Sequence, residues 1–214
     1  MDNDVKFVAN TKDDLHCLQA SWLMVTKFFK PDFEMDWDEF SKKTGFEEGK
    51  GTWATAGLLW LNDNGFEAKQ FDTFDYLDFA ENGGDYLIKR SGNEVGEWQI
   101  RHTNMPLEQE RAKKMVESGL WEKTNPTIDD IKKFLLAGYL VTCLVNSAKL
   151  NGHEGYFGHQ VLVKGFDDTH LFLHDPGSPP IPNRKITFGD FEAAWADPTP
   201  DSKEMNIVRL KQNE

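Results

Sequence analysis

The sequence predicts an α+β protein. Two observations carry that reading: helix-period apolar patterns with capping and stop signals fill the amino-terminal part, and Val- and Leu-rich runs bounded by turn residues follow in an order that suits mostly antiparallel pairing. A third sets the scale, because 214 residues with a 39% hydrophobic share, sixteen Phe and seven Trp make one domain with a sizeable core.

From Cys17 to Phe29, residues Leu18, Trp22, Val25, Phe28 and Phe29 form one stripe that stops before Pro31, which predicts the first helix. Asp36 with Glu39 three residues later opens a short second helix closed by Gly45. Thr52 opens a third, which runs through Leu58, Leu59 and Leu61 to Asn64 and Gly65, and Phe66 to Phe71 then alternates as a half-buried strand. The segment 72–121 is expected to be a lobe or lid within a single 1–214 domain. It carries a short helix around Tyr76 to Ala80, a Gly83-Gly84 break and a charged helix from Pro106 to Ser118 with a thin apolar face. Thr127 caps a firmer helix with Ile128, Ile131, Phe134 and Leu135 inward and Gly138 at its end. Tyr139–Val145, Gln160–Phe166 and Leu171–His174 form the sheet core. The proline-rich stretch at Ser178 reads as a stiff loop, Phe188–Trp195 as a last helix capped by Thr187, and Asn206–Leu210 as a last strand.

Composition narrows the function classes. Lys plus Arg is 24 against 36 Asp plus Glu, a net charge of −12, which opposes binding to nucleic acid or to an anionic membrane surface. The longest nearly apolar run, Leu135 to Val145, is broken by Gly138 and Thr142 and is shorter than the roughly 20 residues a membrane helix needs. The start, MDNDVKFVAN, shows no secretory signal, so a cytoplasmic location is expected. Two cysteines are too few for a disulfide framework and lack the paired spacing of a zinc site. Phosphate loops, dinucleotide fingerprints and paired-His metal motifs do not occur, so no metal and no cofactor is expected.

Cys17 stands at the start of the first helix, where free backbone N–H groups and the helix dipole favour an anion. A nucleophilic sulfur is expected at such a place because the ionised form attacks an acyl carbon; the alternative is an inert thiol filling a gap. A nucleophile needs a base, and the chain has six His. Strands 160–166 and 171–174 are joined by Asp167-Asp168-Thr169, and a turn centred near Asp167 sets His159 directly opposite Asp175 on one face. His174 points the other way by parity, and His170 lies at the turn. An imidazole held by a carboxylate is what a general base requires; the alternative is a satisfied polar pair closing a strand end. His153, in a glycine-bounded loop, and Trp53, at a helix start, are candidates for substrate contact, whereas Cys143 reads as core.

The stretch HCLQASWLMVTKFF resembles the cysteine-helix signature of bacteriocin-processing-type cysteine peptidases, and GHQVLVKGFDDTHLFLHDPG resembles their histidine motif. The resemblance is to solitary members of the family, not fused to a transporter. It implies a papain-like fold, the nucleophile helix packed on a carboxy-terminal sheet, with Cys17 as nucleophile, His159 as base and Asp175 as the residue that orients it. Two departures stand out. Leu18 occupies the position where the family has Gly, and the oxyanion Gln expected six residues before the cysteine is Thr11, which leaves the Asn10 amide one position earlier as the candidate donor.

The expected activity is acyl transfer through a thioester, as a peptidase or amidase acting on a peptide or a small amide-containing substrate. Two alternatives stay open: a papain-like binding module with catalysis weakened or lost, and a thiol or amine acyltransferase.

Overall fold

The computed structural model describes residues 1–177 and 179–212, so the Ser178 loop reading lies in part outside the described residues. Three helices open the chain, α1 (Cys17–Phe29), α2 (Trp37–Lys43) and α3 (Ala54–Asp63). The stripe read from sequence buries Leu18, Trp22 and Val25 of α1. Asp36 caps α2 by accepting the backbone N–H groups of Asp38 and Glu39. α3 starts one residue later than Thr52 implies, because Trp53 is still extended (ψ 147°).

Strand β1 (Phe66–Asp72) leads into four helices, α4 (Tyr76–Asn82), α5 (Gly84–Ser91), α6 (Asn93–Arg101) and α7 (Met105–Glu117), and then the short strand β2 (Trp121–Lys123). Tyr76, Phe79, Tyr86, Leu87 and Ala112 give this segment its own small core, with Trp53 and Trp121 packed against it. α5 and α6 are not legible in sequence for a physical reason: Tyr86, Leu87 and Gly96 are their only buried residues among those described. Gly96 is needed for close approach, since a Cβ there would stand 2.6 Å from Ile88 Cα.

The remaining elements are α8 (Ile128–Leu136), β3 (Leu140–Asn146), α9 (Ser147–Leu150), β4 (Gly158–Phe166), β5 (His170–Asp175), β6 (Ile181–Thr187), α10 (Phe188–Trp195) and β7 (Glu204–Leu210). Thr127 and Asp130 close a capping box on α8. The seven strands form one sheet in the order β2-β1-β7-β3-β4-β5-β6, antiparallel at every step except β1 with β2. One core buries Val141, Val161, Leu173, Phe191 and Trp195 under α8 and α10. The other packs Leu18, Trp22, Val25 and Phe40 against Leu140, Leu162 and Val208. That packing docks α1 against β4 and fixes where its first residue lies.

The hairpin register corrects one sequence expectation. Asp167 N–H donates to His170 O, which centres the turn on Asp168-Thr169, and a bulge between Val163 and Gly165 shifts β4 against β5 so that Leu162 faces His174. His159 and Asp175 are therefore not directly opposed but diagonal. The displacement is an even number of residues, so both keep the same face, and the parity reading of His174 also stands: its Nε2 bonds Val5 O and its Nδ1 accepts from Asn183 N–H.

Candidate active site

Cys17 is the first residue of α1, and His16 caps the helix without a side-chain hydrogen bond. No acid occupies the first turn of the helix that carries the sulfur. The first residues of β4 carry His159, and Cys17 is among the groups whose interaction raises the pKa of its ring. His159 Nε2 lies 2.8 Å from Asp175 Oδ1, which leaves Nδ1 as the nitrogen for the thiol side. Both members of the pair are buried.

The electrostatics of the pair are reciprocal. Burial pulls the His159 pKa down, but the hydrogen bonds to Asp175 and Cys17 and the charges of both push it up to about 10. Burial raises that of Asp175, and the His159 hydrogen bond and charge, the Gly177 N–H and the Arg184 guanidinium together hold it below the usual carboxylate range. Cys143 differs in kind. It lies in the middle of β3, fully buried, and burial pushes its thiol well above the ordinary value, as its reading as core requires.

Two residues that sequence reasoning missed complete the pair's surroundings. Arg184 Nη1 donates to Asp175 Oδ2 at 2.9 Å and to Asn151 Oδ1 at 2.7 Å, and its Nη2 donates to Leu150 O. Gly177 donates its N–H to Asp175 Oδ1 and lies flat on the pair; a Cβ there would sit 2.8 Å from His159 Cε1. Arg184 carried no usable signal, since it is on a strand without alternation, whereas Gly177 closes the histidine motif without carrying an expected role there.

Asn10 is held near the His159–Asp175 pair by two anchors. Its backbone N–H donates to Pro176 O at 2.8 Å, and its side-chain Oδ1 accepts the N–H groups of Thr11 and His16, both at 2.8 Å. Those two bonds orient the amide, and its Nδ2 donates to Asp14 Oδ1 at 2.7 Å. Thr11, at the position of the expected Gln, turns its hydroxyl to Asp13 and to His16 Nδ1. The His16 ring is stacked on Phe46 at 3.9 Å.

The other two candidates are not drawn into this cluster. The Trp53 indole stacks on Phe79 and donates to Thr103 Oγ1 at 3.1 Å, so its ring belongs to the core of the helical segment. His153 is exposed on the loop between α9 and β4, held there by its backbone N–H to Ala148 O. A small cavity of about 40 Å³ opens onto His159, Asp175 and Gly177 with Asp14, Ser147 and Asn151 around it. A roomier one of about 540 Å³ lies between β1, β7 and α8 and shares no residue with the site.

This topology, with the cysteine at a helix start and the His–Asp pair at a strand end, defines the papain-like class of fold. Comparison with solved structures agrees. The chain is similar to the peptidase domain of Streptococcus ComA, a bi-functional ABC transporter involved in a quorum-sensing pathway, with 13% identity over 98% of this chain and 99% of that one and a TM-score of 0.50. It is also similar to a double-glycine-motif protease from an AMS/PCAT transporter, solved with a leader peptide, with 15% identity over 98% and 94% and a TM-score of 0.49. No protein-family profile and no curated protein sequence matches the chain. The fold is α+β and papain-like.

Proposed function

We propose that this chain is a cysteine-dependent acyl-transfer enzyme, a peptidase or amidase in which Cys17 is the nucleophile, His159 the proton carrier and Asp175 the group that orients it. The supporting observation is the buried His159–Asp175 pair, bonded at 2.8 Å through Nε2, on a ring whose pKa is raised by Asp175 and by Cys17 together. A base raised to about 10 rests as imidazolium at neutral pH, which suits a thiolate–imidazolium pair.

The thiolate attacks the amide carbonyl carbon, forming a C–S bond and placing negative charge on oxygen. Collapse of that intermediate breaks the C–N bond as His159 delivers its proton to the leaving amine. Water then enters: His159 takes its proton, the C–O bond forms, and the C–S bond breaks to return the thiolate. An amine in place of water makes the same chain a transferase. The Asn10 amide and the Cys17 backbone N–H are the proposed oxyanion donors. A peptide or small amide is the proposed substrate. The two unpaired cysteines fit a reducing, cytoplasmic location.

Alkylation by iodoacetamide at neutral pH, with the modified residue located by mass spectrometry, tests this. Cys17 should react at least about tenfold faster than free cysteine, and His159→Ala should slow it toward the free-thiol rate. A free-thiol rate that ignores His159→Ala overturns the reading. It would favour a catalytically silent binding module, whose one supporting observation is that the Asn10 Nδ2 group is already taken by Asp14.

A further inference from the structure

Asp14 is a carboxylate at the mouth of the site with no catalytic duty assigned to it. It lines the small cavity together with His159, Asp175 and Gly177. Its backbone is left-handed (φ 59°), a conformation that Asp adopts more readily than most residues, and this turn sets the side chain toward the cavity mouth while its neighbour Asp13 is occupied by Thr11 Oγ1 and the Leu15 N–H.

The charges of the two cavity carboxylates are treated differently. Asp175 is matched by His159 on one oxygen and by Arg184 on the other. Among the described residues the Asp14 carboxylate has a single hydrogen bond, from the neutral Asn10 amide, and no Lys, Arg or His is paired with it. It is exposed, so its charge is carried at modest cost in water, but a substrate laid across the cavity mouth would displace that water and leave the charge needing a partner. The chemistry of the oxyanion adds a second reason. Asp14 sits on the N–H that the proposed oxyanion donor offers, so a negative group stands beside the place where negative charge develops during acyl transfer. A cation brought in by the substrate offsets that charge and draws the carboxylate toward itself.

We infer that Asp14 is the substrate-selecting residue of this site, and that it takes a positively charged group, an ammonium or guanidinium, carried by the substrate next to the bond that Cys17 attacks. This rests on the proposed function, because it assigns a substrate class to the same cavity. The overall charge of −12 works in the same direction at long range, but Asp14 supplies the selection at the bond itself.

Charge-matched thiol reagents test it on the intact chain. Cys17 is treated with two alkyl methanethiosulfonates of similar size, one ending in trimethylammonium and one in sulfonate. In each case the thiolate attacks the sulfenyl sulfur, a disulfide forms, and methanesulfinate leaves. The ratio of the two rates cancels any change in thiolate fraction, so it reports the charge the reagent meets. The informative variant is Asp14→Asn, which tolerates the left-handed backbone and can still accept the Asn10 N–H. It should reduce the cation-to-anion ratio roughly tenfold, as expected for losing one charge that shares a cavity with His159, while Asp13→Asn changes it by less than about twofold. An equal response to both variants, or none to Asp14→Asn, overturns the assignment. If Cys17 remains activated through His159 in that case, only the role of Asp14 falls; if Cys17 shows no His159-dependent activation, the proposed function falls instead.

Discussion

Arg184 and Asp175 form an ion pair at 2.9 Å that uses the carboxylate oxygen His159 leaves free. The same guanidinium reaches Asn151 and Leu150 O at the end of α9, so one side chain ties Asp175 to the segment leading into the loop before β4. Arg184→Met should leave a buried carboxylate short of one charge-assisted bond, costing about 2 kcal/mol or more in stability and about tenfold in the Cys17 alkylation rate. Arg184→Lys should recover part of the stability but little of the bridging, because an ammonium lacks the planar fork that reaches two partners at once. Thermal denaturation and alkylation kinetics on both variants check this.

Gly177 makes a separate prediction because its constraint is steric. Its missing side chain is where the His159 ring and Asp175 Oδ1 pass, the latter 3.1 Å from the position a Cβ would take. Gly177→Ala should push the imidazole off the carboxylate. The expected result is a loss of thiol activation of about 10²-fold or more, with an overpacking cost of about 1–3 kcal/mol, so that reactivity falls further than stability. A variant that alkylates at the parent rate would show that the ring tolerates the displacement.

The hairpin that holds the His–Asp pair is legible in sequence because face parity survives an even register error. Turn position and bulge both differ from expectation, yet His159 and Asp175 still share a side. Arg184 is not legible. Its strand, Ile181–Thr187, is largely exposed and includes Pro182 and a positive φ at Asn183, so it shows no alternation and reads as loop. Trp53 illustrates the opposite limit: a helix-start aromatic can line a cleft or fill a core, and its partners Phe79 and Thr103 come from a segment with too few apolar positions to be anticipated.

Leu18 makes a stability prediction. It is buried in the core under α1, so the residue after Cys17 anchors the helix. Leu18→Gly should cost about 3–5 kcal/mol through the cavity and the lost helix propensity. The midpoint of denaturant unfolding is the measurement. A change below about 1 kcal/mol would mean that α1 docks without this contact.

Stability should depend on pH with a maximum near pH 4 to 5, and the sign follows from four groups. Asp175 has a lowered pKa, so its contribution is present above the ordinary carboxylate range and is lost as pH falls through its folded value. Asp72 and Glu204 are raised by burial, to about 6 and about 7, with Asp72 adding to the effect on Glu204. The folded state therefore holds protons that the unfolded chain has already lost between about pH 4 and 7, and stability falls across that window. His159, raised to about 10, contributes fully below its unfolded value near 6.5 and loses that contribution as pH rises through 10. Melting temperature measured from pH 3 to 10 should rise to the maximum and then decline in two stages. Asp72→Asn should flatten the first stage and leave the second unchanged, whereas His159→Ala should remove the second while the first persists.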